Sequence, residues 1–235
     1  MKTYYTPEWL SIVFIFAITI AVILIASAVR RNSPSQKQNL TFASVLLFLL
    51  IYFTYVFIAG KLGLFQAVSL PPKILLFTTL PYAIFLFGFI DKISITKQIF
   101  EKISISSLVG LHIFRLIGCT FIILALHDAL PKSFAFIAGF GDVVTAITSI
   151  FVVNAINKQK SYAKNLTFVW NTFGLLDIII TAIMANVFTK ISIDTGTMGV
   201  DTLAKFPFSL IPAFAPPTII FLHVMIYRKL KNFSK

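Results

Sequence analysis

Three ionisable residues, Arg115, Asp142 and Asp177, lie inside stretches that are otherwise apolar enough to cross a lipid bilayer. An ionised side chain is costly there, so such residues usually pair inside a helical bundle or line a route for ions or solutes. Two carboxylates share one permanent cation, which leaves a surplus negative charge. We therefore predict that one aspartate is protonated or that a cation is bound, as in proton-coupled or ion-coupled transport.

Other polar residues recur at helical spacing beside these three. One face of the fourth predicted helix is expected to hold His112, Arg115, Gly118 and Cys119. The residues predicted to line a cavity and to bind an ion or substrate are Arg115, Asp142, Asp177, His112, His223, Asn171 and Trp170. Counted at about 1.5 Å of rise per residue, they form two layers. The histidines and Asn171 are predicted nearer the cytoplasmic end, and the arginine and aspartates nearer the middle. No catalytic residue or metal ligand is assigned.

The composition indicates that these residues sit in a membrane protein. The chain is 58% hydrophobic and 12% charged, and its mean hydropathy is +0.92. Runs long enough to span a bilayer occur at 9–28, 42–59, 74–90, 105–126, 133–156, 165–188 and 208–227. Their hydrophobicity is continuous, which excludes the alternating strands of a transmembrane barrel. We predict an all-α, polytopic bundle of seven transmembrane helices, forming a single membrane domain over residues 1–235.

The distribution of basic residues predicts how the bundle is oriented. Most of the 20 Lys and Arg residues lie after the first, third, fifth and seventh helices. Such residues favour the cytoplasmic side, so the N-terminus is predicted outside and the C-terminus in the cytoplasm. This rule, together with attraction to anionic lipid, accounts for the net charge of +12 without nucleic acid. The expected partners are the lipid bilayer and a small solute or ion.

The two halves of the chain differ in chemistry. Residues 1–92 hold three helices without central charges, which are predicted to pack and to face lipid. Residues 105–235 hold four helices that are predicted to enclose a polar cavity. Between them, residues 93–107 alternate apolar and polar side chains, as expected of an interfacial connector. Bends are predicted at Pro81 and Gly88. Near the start of the seventh helix, either a break that lines a cavity or a simple kink is predicted from Pro207, Pro212, Pro216 and Pro217.

The polar residues fall in short motifs. These are Arg115-x-x-Gly118, Leu130-Pro131 followed by Phe134-Ala135 and Ala138-Gly139-x-Gly141-Asp142, Trp170-Asn171-x-x-Gly174-x-x-Asp177, and a late His223. In them, roughly the second half of the chain resembles a family of uncharacterised bacterial integral membrane proteins. The resemblance implies a bacterial protein of the inner, or plasma, membrane, and it implies no particular activity or substrate.

The leading hypothesis is a membrane protein that binds or transports a small solute or ion, with a proton or cation coupled through Asp142 and Asp177. Three alternatives stay open. His112 and His223, at similar depth, are the ligand type of a b-type haem redox protein. A membrane-embedded lipid hydrolase with zinc would need ligands that converge on one ion. In a structural subunit, an ion pair of Arg115 would only fix the register of the helices. The question of an enzymatic activity is left open.

Overall fold

In the computed structural model, which describes residues 6–66 and 69–232, seven helices are long and apolar enough to cross a membrane. They run at Glu8–Asn32, Ser35–Lys61, Leu75–Lys92, Ile105–Leu126, Lys132–Asn157, Ala163–Thr195 and Leu210–Lys231. The described residues contain no strand. The predicted all-α fold of seven apolar helices is confirmed, and the chain is a multi-pass integral membrane protein. The orientation of its termini and the membrane in which it lies stay predictions.

Two helix ends show how local sequence sets the boundaries. The fourth helix begins at Ile105, as predicted, because the Ser104 hydroxyl caps it by accepting the backbone N–H of Ser107 at 3.1 Å. The sixth helix runs past its predicted end and stops before Gly196, whose φ of 67° ends it in the left-handed conformation. Its 33 residues measure about 50 Å, more than the hydrocarbon core of about 30 Å. This helix therefore extends beyond the core or tilts within it.

A short amphipathic helix, Ser94–Lys102, connects the third and fourth helices. It buries Thr96 and Ile99 and exposes Lys97 and Lys102. A helix with one apolar and one basic face is suited to the membrane surface. We call it the interfacial helix.

The seventh helix is the centre of the bundle. In its most apolar stretch 78% of the residues are buried, against 17% in the second and third helices. It contacts the second, third, fourth and sixth helices, and the fifth helix packs on the fourth and sixth. The first helix packs on the second and touches the fourth. The polar stripes of the fourth to seventh helices consequently meet inside the bundle.

The seventh helix continues without a break through Pro216 and Pro217, so the predicted break that would line a cavity is wrong. A proline has no N–H for the carbonyl four residues before it. Here those carbonyls belong to residues 212 and 213. The Thr79 hydroxyl donates to the carbonyl of Pro212 at 2.6 Å, and the Tyr52 hydroxyl donates to that of Ala213 at 3.1 Å. Neighbouring helices therefore replace the missing donors.

In the third helix, too, a hydroxyl group from a neighbouring helix donates to a carbonyl that a proline leaves without an N–H donor. The backbone of this helix forms two π-helical segments, Leu75–Thr79 and Phe85–Phe89, on either side of Pro81. The carbonyl four residues before that proline, of Phe77, accepts the Tyr55 hydroxyl at 3.0 Å. We call Tyr52, Tyr55 and Thr79, with the carbonyls that they contact, the hydroxyl caps.

Candidate functional site

The middle of the fourth helix is wound more tightly than an α-helix. Residues His112–Gly118 form a 3₁₀ segment, in which side chains three residues apart lie directly above one another. His112, Arg115 and Gly118 consequently form one buried row. Cys119, which α-helical spacing predicts on the same face, is exposed instead. That part of the prediction is wrong because the local period is three.

Arg115 lies at the centre of the site and is 0% exposed. Its Nε donates to Asp142 Oδ1 at 2.7 Å, and its Nη2 donates to Asp177 Oδ2 at 2.5 Å. Its Nη1 donates to the carbonyl oxygen of Gly174 at 3.1 Å. One guanidinium therefore ties the fourth helix to the fifth and the sixth. Both aspartates face the arginine.

The same guanidinium reaches the seventh helix through His223. Arg115 Nη1 lies 3.2 Å from His223 Nε2. Because arginine has no acceptor, Nε2 accepts this hydrogen bond and the ring proton sits on Nδ1. Nδ1 then donates to Asn171 Oδ1 at 2.8 Å, while Asn171 Nδ2 donates to the backbone oxygen of His223 at 3.1 Å. The imidazole is therefore neutral in this arrangement. His223 and Asn171 of one predicted layer are therefore joined by hydrogen bonds to Arg115 of the other.

His112 and Trp170 complete the site. The rings of His112 and His223 have centroids 4.3 Å apart, and Trp170 meets His112 edge-on at 5.2 Å. The structure thus brings together all seven residues singled out from the sequence. We call Arg115, Asp142, Asp177, His112, His223, Asn171 and Trp170 the arginine cluster.

Two members of this region have polar atoms without partners. Among the described residues, both ring nitrogens of His112 and the hydroxyl oxygen of Thr145 are buried and accept or donate no hydrogen bond. Each such atom costs about 1 to 3 kcal/mol. Buried polar atoms of this kind are places where water or a ligand group binds. Sequence reasoning missed Thr145, although it lies one helical turn after Asp142 and its backbone oxygen accepts Trp170 Nε1 at 3.2 Å.

Glycines make the close packing of the arginine cluster possible. A Cβ added to Gly118 would lie 2.4 Å from the Asp142 Cβ, and one added to Gly141 would lie 1.6 Å from Asp177 Oδ1. A Cβ on Gly174 would lie 2.8 Å from a carbon of the His223 ring. Each of these polar side chains therefore packs directly on the backbone of a neighbouring helix, as small residues permit in membrane bundles.

The geometry does not fit a haem between His112 and His223. A ring separation of 4.3 Å leaves no room for an iron atom and its macrocycle, and both nitrogens of His223 already have partners. In residues 6–66 and 69–232, no group of three or more His, Cys, Asp or Glu side chains is placed to hold a metal ion.

The arginine cluster is closed off from its surroundings. Asp142 and Asp177 are only 7% and 9% exposed, and His112, Asn171 and His223 are fully buried. Three pockets of the structure lie elsewhere, and none of them is lined by a member of the cluster. A ligand would therefore reach the cluster only after the helices move.

The fold and this site define a seven-helix integral membrane protein with a charged network buried between four helices. The family described as a domain of unknown function (DUF8737) matches residues 71–231, and the chain belongs to this family. The matched region holds the third to seventh helices, so it begins earlier than the motifs of the second half of the chain. It includes the entire arginine cluster, the capped carbonyls of Phe77, Pro212 and Ala213, and the donor Thr79, whereas the donors Tyr52 and Tyr55 lie before it. No curated protein and no solved structure matches the chain.

Proposed function

We propose that this protein binds and transports a small solute or ion, and that a proton carried by the Asp142 and Asp177 pair is coupled to its movement. The observation that carries the proposal is the contact of two buried carboxylates with a single guanidinium. The neighbouring His223 accepts from the same guanidinium and adds no positive charge. With both aspartates ionised the cluster would hold one uncompensated negative charge, so a proton on the pair is the stable condition.

Arg115 has a second role in this scheme. A protonated aspartate holds the guanidinium less tightly than a carboxylate does, because charge-assisted hydrogen bonds are the stronger ones. Protonation of the pair therefore frees an Arg115 donor for an anionic or strongly polar group of the solute. Release of the proton restores the closed contacts and expels that group.

Access to the closed cluster would come through the 3₁₀ segment of the fourth helix. Longer stretches of this geometry are uncommon and often mark hinges. If residues 112–118 returned to α-helical winding, side chains three residues apart would rotate by about 60° relative to one another. Such a change would separate His112 from Arg115 and expose the unpartnered atoms of His112 and Thr145 to a polar path.

An accessible-cysteine experiment tests this route. In a Cys119→Ala background, Ser149→Cys places a thiol on the buried face of the fifth helix, near the cluster. Ile150→Cys, one residue later, is its control at the same depth, because Ile150 is 57% exposed on the outside of the bundle. A charged, membrane-impermeant thiol reagent is applied to each side of reconstituted vesicles.

We expect the reagent to label Ser149→Cys and not Ile150→Cys, because a thiol that faces lipid stays protonated and inaccessible to a charged reagent. Labelling should fall when the vesicles are moved to a pH at which the Asp pair loses its proton, because both carboxylates then hold Arg115 in the closed contacts. Absence of labelling from both sides at every pH would contradict a transport route.

A further inference from the structure

A basic pocket lies between the interfacial helix and the end of the seventh helix, at the end of the bundle predicted to be cytoplasmic. Its volume is about 790 Å³. The charged side chains that line it are Lys92, Lys97, Lys102, Arg228, Lys229, Asp91 and Glu101. Five cations thus face two acids. The lining carries a formal surplus of positive charge.

The partners of these side chains show which charges are left for a ligand. Arg228 is paired with Asp91, its two nitrogens donating to the two carboxylate oxygens at 2.5 and 2.8 Å. Lys229 Nζ donates to the backbone oxygen of Glu101 at 3.0 Å. Over the described part of the chain, no hydrogen bond or ion pair within 4 Å is formed by the ammonium groups of Lys92, Lys97 and Lys102. Three lysines are therefore available to an anion.

An apolar pocket of about 390 Å³ adjoins the basic one. It is lined by residues of the first, second, third, fourth and seventh helices and of the interfacial helix, with aromatic walls from Phe48, Phe85 and Phe221. Phe100 and Ile103 line both pockets. The basic pocket and the apolar pocket therefore share a wall that Phe100 and Ile103 form.

We propose that these two pockets hold one anionic phospholipid, with its phosphate headgroup among Lys92, Lys97 and Lys102 and an acyl chain in the apolar pocket. Basic pockets between membrane helices select anionic headgroups because each lysine near the surface attracts them. The adjoining apolar pocket favours a lipid over a free phosphate ion, because only the lipid has an acyl chain to bury there. Zwitterionic lipid would gain little from the surplus charge.

Native mass spectrometry of the full chain in detergent tests the proposal. Phosphatidylglycerol is titrated against phosphatidylcholine of the same chain length. We expect one phosphatidylglycerol to stay bound under conditions that remove phosphatidylcholine. The triple variant Lys92→Gln, Lys97→Gln and Lys102→Gln should weaken this binding at least about tenfold, since three attractive charges are removed.

The matched control is Lys61→Gln, Lys132→Gln and Lys205→Gln, which removes the same charge at the other end of the bundle and should leave phosphatidylglycerol bound as in the wild type. Soluble glycerol phosphate should fail to displace the lipid at equal concentration. Equal binding of the two lipids, unchanged binding by the first triple variant, or displacement by glycerol phosphate would each overturn the proposal. Because the three lysines are exposed and their ammonium groups form no hydrogen bond or ion pair within 4 Å among the described residues, that variant is expected to fold normally.

Discussion

The arginine cluster and the hydroxyl caps bury polar groups in the same bundle by opposite means. In the hydroxyl caps, neutral hydroxyls of Tyr52, Tyr55 and Thr79 each meet a carbonyl that a proline has deprived of its N–H donor. In the arginine cluster, one cation is shared by two carboxylates and an imidazole. The first arrangement is neutral and satisfied. The second is charged, and it contains one carboxylate more than its cation balances and two ring nitrogens without hydrogen-bond partners.

This difference separates stability from function within one protein. The hydroxyl caps leave no group that a ligand or proton would complete, as expected of contacts that only hold helices together. The arginine cluster retains an excess carboxylate and two unpartnered nitrogens on His112, and the unpartnered hydroxyl of Thr145 lies beside it. Half-satisfied polar networks are unfavourable in a membrane. The excess carboxylate and these atoms together support the proposal that the arginine cluster binds a solute or ion.

The largest expected effect is that of Arg115→Leu. Removing one partner of a buried ion pair costs about 3 to 5 kcal/mol, because it leaves buried charge uncompensated. We expect the free energy of unfolding in detergent, measured by denaturant titration, to fall by that amount. Arg228→Leu is the control, because this arginine is 52% exposed in its pair with Asp91 and should lose no more than about 1 kcal/mol.

Restoring charge balance should rescue the first variant. When Asp142→Asn and Asp177→Asn are added to Arg115→Leu, no buried charge is left and part of the lost stability should return. If Arg115→Leu unfolds like the wild type, the arginine does not neutralise the cluster.

The next largest effect is expected from a glycine. Gly141→Ala would place its Cβ 1.6 Å from Asp177 Oδ1, so the carboxylate must leave Arg115 or the helices must separate. Overpacking of this kind costs about 1 to 3 kcal/mol. The same change at Gly88, in the third helix, meets its nearest atom at 3.8 Å and should be neutral by the same unfolding measurement. Similar values for both variants would mean that close packing is not special to the arginine cluster.

The loss of a hydroxyl cap should lower the stability of the protein by less than the Arg115 and Gly141 substitutions do. Thr79→Val removes the donor to the Pro212 carbonyl, and hydrogen bonds between membrane helices contribute about 0.6 kcal/mol on average, up to about 1.7. Thr54→Val is the control, because the Thr54 hydroxyl bonds only the Leu50 carbonyl of its own helix. Thermal unfolding of the two variants should differ accordingly. A loss as large as that of Arg115→Leu would remove the contrast between the two regions.

The smallest effect on stability is expected from His112→Phe. Both His112 nitrogens lack partners, so a ring of similar shape without polar atoms should be neutral or slightly stabilising. His223→Phe, in contrast, loses the contacts with Arg115 and Asn171 and should destabilise the protein. Unfolding midpoints of the two variants check this order. Equal losses would mean that His112 is a structural residue like His223.

The fold was predictable because the length of an apolar run follows from the thickness of a bilayer. The start and end of the fourth helix agree with the prediction, Ile105–Leu126. The grouping of Arg115 with Asp142 and Asp177 was also accessible, because charges inside a membrane need one another. Both arguments rest on properties of the lipid bilayer, its thickness and its unfavourable effect on charge, and require no knowledge of how the helices pack.

Details that depend on packing were not accessible in this way. The 3₁₀ winding of residues 112–118, after which Cys119 is exposed, has no signal in the sequence of the fourth helix. The prolines of the seventh helix indicated free carbonyls, but their donors, Tyr52 and Thr79, lie more than a hundred residues away in the chain. The glycine motifs were visible, whereas the side chain that each glycine admits became clear only in three dimensions.

The most direct test of the account is a count of protons on the aspartate pair by infrared spectroscopy in a detergent without ester groups. At neutral pH the wild type should show the carbonyl stretch of one protonated, buried carboxyl group. Asp142→Asn and Asp177→Asn should each abolish it, because the remaining carboxylate then balances Arg115, and Asp194→Asn, in an exposed pair with Lys190, should leave it unchanged. A wild-type spectrum without this band, or a band that survives both substitutions, would contradict the claim that the pair carries a proton.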